Sequence, residues 1–149
     1  TLIDLLEDIY KRYGVFVEHM ESLEFCETKE GKDQMQAAMQ SIRKNAPSTI
    51  LGHSVVRIAD LLKATWRTVA TKQEEPIDLP VSDVLILELD DASRIVIRPS
   101  GTEPRIKVYV LGKEAPDQIV LLGLAAAQAK AQGHAAQLGG ALKALLHAS

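Results

Sequence analysis

The chain has 149 residues, 46% hydrophobic and 25% charged, enough for one domain with a proper core or one domain plus a short appendage. Aromatics are only 4%, so Leu, Ile, Val and Ala must build that core. The net charge of −3 argues against a nucleic-acid binder, whose contact face carries a basic excess, while leaving room for a local basic pocket.

Thr1 can cap a helix whose apolar positions Leu2, Leu5, Leu6 and Ile9 recur at helical spacing, and Gly14 stops it. This acidic amphipathic start is unlike a secretion signal, and a chain opening on Thr1 rather than Met implies sequence upstream. Val15–Phe25 carries β-type residues and reads as a strand. Cys26, the single cysteine, cannot form an intramolecular disulfide and is expected to serve as a small apolar residue at that strand's end. Lys29–Lys44 places Met35, Ala38, Met39 and Ile42 at helical intervals, and Ala46-Pro47 ends it, which predicts an amphipathic helix laid on a sheet. Gly52–Asp60 reads as a second strand, and Leu61–Lys72 is ambiguous between elements. Lys72–Pro80 is expected to be a polar loop whose two prolines exclude a central strand.

Val84–Leu89 and Arg94–Arg98 read as strands joined by the turn Asp90-Asp91-Ala92-Ser93. Arg105–Leu111 is a further strand with Ile106, Val108 and Val110 on one face. Pro116 suits the first turn of a closing helix, and the Ala-rich run to Lys130 is expected to continue it. Gly133 and Gly139-Gly140 are expected to interrupt the tail. Ile119–Ala127, the longest strongly apolar helical stretch, is too short to span a bilayer. The pattern implies an α+β domain, a mainly antiparallel sheet with helices packed on one face. The four histidines, His19, His53, His134 and His147, are scattered without metal-ligand spacing. Asp90-Asp91 is expected to be a solvated turn rather than a metal site.

The chemistry is concentrated in Arg98–Lys107. Gly101 permits a tight turn that brings N–H groups close to an anion. Ser100 and Thr102 add hydroxyl donors, and Arg98 brings a planar fork suited to two phosphate oxygens. Arg105 and Lys107 share one face of the following strand, opposite Ile106 and Val108. Pro99 and Pro104 stiffen the loop and lower the entropy lost when an anion is held. A nucleotide P-loop is excluded, since no Gly-x-x-x-x-Gly-Lys-Ser/Thr pattern opens a helix here.

Twelve consecutive residues, Arg98-Pro99-Ser100-Gly101-Thr102-Glu103-Pro104-Arg105-Ile106-Lys107-Val108-Tyr109, resemble the phosphate-binding signature of the α-D-phosphohexomutases, the phosphoglucomutase/phosphomannomutase family. Leu2–Gly14 is similar to the helix leading into that family's last domain, and Leu79–Arg98 to the hairpin before its loop. Ala126–Ser149 adds little to the likeness. The resemblance implies that residues 1–14 end a preceding domain and residues 15–149 form the C-terminal domain, with a fold similar to TATA-box-binding protein.

It further implies that Arg98, Ser100, Gly101 and Thr102 contact the phosphate of a hexose phosphate. Lys107 stands where many members carry an arginine, keeping the charge without the bidentate fork. Glu103 is expected to organise the loop rather than touch phosphate. In such enzymes a phosphoserine, a Mg²⁺ site and a sugar-reading loop lie in three other domains, and a glucose 1,6-bisphosphate-type intermediate forms between two phosphoryl transfers. No segment of this chain resembles those three parts, so the chain alone is expected to be inactive and to depend on the missing N-terminal domains. Intramolecular phosphoryl transfer between the 1- and 6-positions, with glucose favoured over mannose, is the activity implied for the whole protein. Cytoplasmic location, with no membrane and no nucleic-acid partner, is expected. A free-standing, non-catalytic phosphate- or phosphosugar-binding module is the alternative.

Overall fold

The structure, a computed structural model, describes residues 1–148. Its first helix, α1 (Leu2–Tyr13), is closed at the start by a reciprocal cap. The Thr1 hydroxyl accepts from the Asp4 N–H at 3.3 Å, and the Asp4 carboxylate accepts from the Thr1 amine at 2.6 Å. Gly14 ends it with φ 94°, where a Cβ would meet the Glu114 carbonyl oxygen at 2.3 Å, so only glycine fits. The second helix, α2 (Lys29–Lys44), starts on the Thr28 hydroxyl, which accepts from the Gly31 N–H at 3.1 Å. It buries Met35, Ala38, Met39 and Ile42, the face its spacing predicts.

The described residues form eight strands: β1 (Val15–Glu24), β2 (Thr49–Ile50), β3 (His53–Asp60), β4 (Thr65–Thr68), β5 (Glu74–Pro76), β6 (Leu85–Leu89), β7 (Arg94–Pro99) and β8 (Arg105–Glu114). Every pairing is antiparallel, in the order β1-β8-β7-β6-β3-β4-β5, with β2 attached to β3. The period-two alternation holds. Leu85, Leu87, Leu89, Ile95, Ile97, Ile106, Val108 and Val110 are all buried on the face that packs against α2 and the C-terminal helix. The α+β architecture with helices on one face is as the sequence implies.

Four local expectations need correction. Residues 49–53 form an unforeseen hairpin, whose turn residues Leu51 and Gly52 take φ 48° and 82°, both left-handed, as a two-residue hairpin demands. The Lys72–Pro80 loop contains β5, a short outermost strand, where prolines are tolerated because one edge needs no partner. Cys26 is exposed rather than packed at a strand's end. The closing helix is two helices, α3 (Pro116–Leu122) and α4 (Leu124–His147), because Gly123 breaks the run with φ 84°.

The glycines of α4, in contrast, do not interrupt it. Three glycines in a helix interior cost roughly 3 kcal/mol together. Burial of Leu138, Leu142 and Leu146, at about 1.5–3 kcal/mol each, outweighs that. Gly139 is also the contact point, since a Cβ there would meet His19 at 3.0 Å and Glu21 at 3.1 Å on β1.

Two outcomes follow from this seat. Leu138→Ala should lower the free energy of unfolding by about 2–5 kcal/mol, read as a lower urea midpoint with the slope unchanged. Glu21 accepts from His19 at 2.9 Å and faces Lys143 of α4 at 3.6 Å. The His19 hydrogen bond holds its carboxyl below the ordinary value of 4.5 against the opposing effect of burial, with Lys143 adding to the lowering. A carboxyl depressed on folding stabilises above its unfolded value and loses that contribution as pH falls through the folded value. The urea midpoint should therefore fall below about pH 4.5, and fall less steeply in Glu21→Gln.

Candidate functional site

The segment between β7 and β8 is built by the strands on both sides of it. Ser100 N–H donates to the Arg105 carbonyl at 2.8 Å, and Arg105 N–H donates to the Glu103 carbonyl at 2.8 Å. Phe25, just past β1, donates to the Pro104 carbonyl at 2.8 Å, so the loop is closed onto a third segment. Glu103 N–H points to the Ser100 hydroxyl oxygen at 3.4 Å, and the Glu103 carboxylate pairs with Arg105 at 2.7 Å. Arg105 also reaches Glu24 at 3.8 Å. Glu103 is thus a loop organiser, and Arg105 is occupied by two carboxylates.

The residues left unused by this bracing are the ones with binding chemistry. Among the described residues, the N–H groups of Gly101 and Thr102 have no backbone acceptor outside the regular elements. The Ser100 oxygen accepts from within the loop, which leaves its O–H to donate outward. Gly101 does not take a left-handed φ, and a Cβ on it would meet nothing within 4 Å. Its value is therefore not backbone freedom, as the sequence led us to expect. A side chain here would point into open space.

A hollow of about 530 Å³ lies between this loop and α2, with Ser100, Gly101 and Thr102 on one side and Lys32, Gln36 and Gln40 on the other. Asp83 also borders it, but its charge is taken up by an ion pair with Arg43, whose side chain is 5% exposed. Lys32 is the cation that sequence reasoning missed. It sits in the second turn of a helix some seventy residues upstream, where a lysine looks like ordinary solvated surface.

Arg98 and Lys107 stand elsewhere on the same loop's base. They are direct cross-strand partners on β7 and β8. Ile97 and Ile106, beside them in the chain, are fully buried, so alternation turns both cations to the opposite face of the sheet. The Arg98 guanidinium lies 6.0 Å from the centre of the Tyr109 ring. Neither cation borders the 530 Å³ hollow. Like charges directly opposite one another in a sheet repel, and among the described residues no carboxylate pairs with either.

The histidines are not all apart, as their spacing implied. His53 and His134 meet at a ring-centre distance of 5.0 Å, with Asp91 against both. The turn that carries Asp91 is tightly built rather than merely solvated. Asp91 Oδ1 accepts from the Ser93 N–H at 2.9 Å and Asp90 Oδ2 from the Ser54 N–H at 3.0 Å.

Comparison with known proteins bears on this arrangement. The family described as phosphoglucomutase/phosphomannomutase, C-terminal domain, matches residues 26–131. A phosphoglucomutase of Staphylococcus haemolyticus is 36% identical over 112 residues, covering 74% of this chain and 20% of that protein. A probable phosphomannomutase of Haemophilus influenzae is 31% identical over 120 residues, covering 78% of this chain and 21% of its own. The chain therefore spans about a fifth of the length of the curated relatives it matches. A solved structure from Paramecium, the open form of the exocytosis-sensitive phosphoprotein pp63/parafusin, a phosphoglucomutase, aligns at a TM-score of 0.44 and 16% identity. That alignment covers 94% of this chain and 24% of the other. No helix among the described residues is long and apolar enough to cross a membrane.

Proposed function

The chain belongs to the phosphoglucomutase/phosphomannomutase family as its C-terminal domain, and we propose that its β7–β8 loop grips the phosphate of a hexose phosphate that is not reacting. The observation that carries this reading is the unpaired cation couple Arg98 and Lys107 at the root of a loop with unused N–H and O–H donors. A phosphate dianion held there removes the repulsion between the two cations and gains charge-assisted hydrogen bonds from Ser100, Thr102 and the loop amides.

Such a grip contributes to catalysis without touching the reacting atoms. Binding energy collected at one end of the sugar fixes the position of the hydroxyl at the other, which lowers the entropic part of the barrier. The whole protein is then an intramolecular phosphotransferase acting between the 1- and 6-positions, through a glucose 1,6-bisphosphate-type intermediate, in a cytoplasmic setting. The loop's donors are hydroxyls, amides and cations, which do not suit Mg²⁺, an ion held by oxygen ligands of negative or neutral charge. No step in this domain runs through that ion, and its ligands belong to the rest of the polypeptide.

We place the boundary between the preceding domain and this one at Gly14. The helix before it exposes Leu2, Leu5 and Leu6 at 82%, 58% and 46% and buries no residue. That apolar stripe is suited to packing against the preceding domain.

Titration of the chain with phosphate or glucose 1-phosphate, followed by backbone amide NMR, should give saturable shifts at residues 98–107 with millimolar-range affinity. Arg98→Gln should weaken them at least about tenfold, the loss of a charged hydrogen-bond pair. Gly101→Ala should leave the urea midpoint unchanged or slightly raised, because its backbone is unstrained, yet weaken phosphate binding. Absence of any saturable shift at residues 98–107 would exclude the reading.

A further inference from the structure

Far from the β7–β8 loop, at the opposite end of β6 and β7, three segments distant in sequence deliver two imidazoles and a carboxylate to one point. We propose that His53, Asp91 and His134 form a binding site for a divalent transition-metal ion of the zinc class, which fastens α4 to the turn end of the sheet.

The spacing supports it. Asp91 Oδ2 lies 2.8 Å from His134 Nε2 and 3.7 Å from His53 Nδ1. The three potential ligand atoms all lie within 4.8 Å of one another. Metal–ligand bonds of about 2.0–2.1 Å in a tetrahedral arrangement put ligand atoms about 3.3 Å apart. The two distances to Asp91 Oδ2 bracket that value, so shifts within the reach of small side-chain rotations bring the atoms to bonding geometry. Three protein ligands leave a fourth position for water.

Each ligand is presented by structure that is already rigid. His53 is the first residue of β3, set by the left-handed turn Leu51-Gly52. Asp91 Oδ1 is held by the Ser93 N–H at 2.9 Å, which leaves Oδ2 to face both imidazoles. His134 rises from α4, seated by Ala131, Ala135 and Leu138. Asp90, whose Oδ2 is fixed by the Ser54 N–H, stands with Oδ1 3.0 Å from the same His53 Nδ1, so an ion bound at Nδ1 replaces that hydrogen bond and keeps Asp90 beside it as a further negative charge.

Charge and ligand type select the ion. Two neutral imidazoles with the carboxylates of Asp90 and Asp91 balance one divalent cation. Of the lysines bordering the same hollow, Lys130 is engaged by Glu114 at 3.3 Å, and Lys113 lies over the Phe16 ring at 5.3 Å. Imidazole nitrogen favours Zn²⁺ and its neighbours over Mg²⁺ and Ca²⁺, which take oxygen ligands. A triad held only by histidine–carboxylate hydrogen bonds is the competing account, and it predicts no metal response. His134 lies on the part of α4 beyond residues 26–131, so the ion would join that part of the helix to the family-matched segment.

The test uses the full 149-residue chain after chelator treatment. Zn²⁺ titration by calorimetry should give one site per chain in the micromolar range or tighter, with a raised thermal midpoint, and Mg²⁺ should do neither. Asp91→Asn and His134→Gln should each weaken Zn²⁺ binding at least about tenfold. Should either variant fail to fold by circular dichroism, proton NMR of the His53 and His134 imidazoles in the unaltered chain decides. Both rings should shift together with Zn²⁺, while His147 does not. No saturable Zn²⁺ binding below millimolar concentration, unchanged affinity in the folded variants, or shifts confined to other histidines would overturn the proposal.

Discussion

The position of β8 between β1 and β7 is the constraint from which the rest of the structure follows. It pairs along its whole length with β1, from Val15↔Glu114 to Glu24↔Arg105, and with β7 from Arg94↔Leu111 to Pro99↔Ile106. A strand so bound has no edge and no freedom of register, because a one-residue slip would drive Ile106, Val108 and Val110 out of the core. The β7–β8 loop inherits that rigidity. Its two ends are fixed by the register, and its closing carbonyl, Pro104, is held by the start of the segment after β1. A loop pre-organised in this way would lose little entropy on binding the proposed phosphate.

The same strand pairing explains why the loop's charges divide as they do. Arg105 is spent on Glu103 and Glu24, which brace the turn. Arg98 and Lys107 are left facing each other with no carboxylate among the described residues, an arrangement that repels on its own and that the proposed phosphate would relieve. Stability and the proposed binding thus draw on different cations of one short segment. Ser100, Gly101 and Thr102, at the loop's tip, border the hollow beside α2, whereas Arg98 and Lys107, at its root, do not.

The far end of the sheet is organised by different chemistry. The hairpin turn at Asp90–Ser93 and the tight turn at Leu51-Gly52 lie side by side because β3 and β6 are neighbours. The helix α4 crosses close enough to set His134 against Asp91. That crossing depends on Gly139, whose lack of a side chain lets α4 approach β1, and on the leucines that outweigh the helix's glycines.

Local chemistry determined much of this protein from the sequence alone. The bounds of α1 and α2 follow from Thr1, Gly14, Ala46-Pro47 and the spacing of their apolar residues, and the alternation along β8 shows which of its faces is buried. The twelve-residue likeness at Arg98–Tyr109 identified the family and the loop, since a contiguous motif carries its neighbours with it. Only the tertiary structure decided that α4 runs through its glycines, because helix propensity is local and the burial that overrides it is not. Only the fold separated Arg98 and Lys107 from the hollow, added Lys32 to it, and showed that Gly101 takes no left-handed turn. The meeting of His53, Asp91 and His134 has no signature in spacing at all: contact between residues so far apart is set by strand order and helix packing, which the linear order of residues does not display.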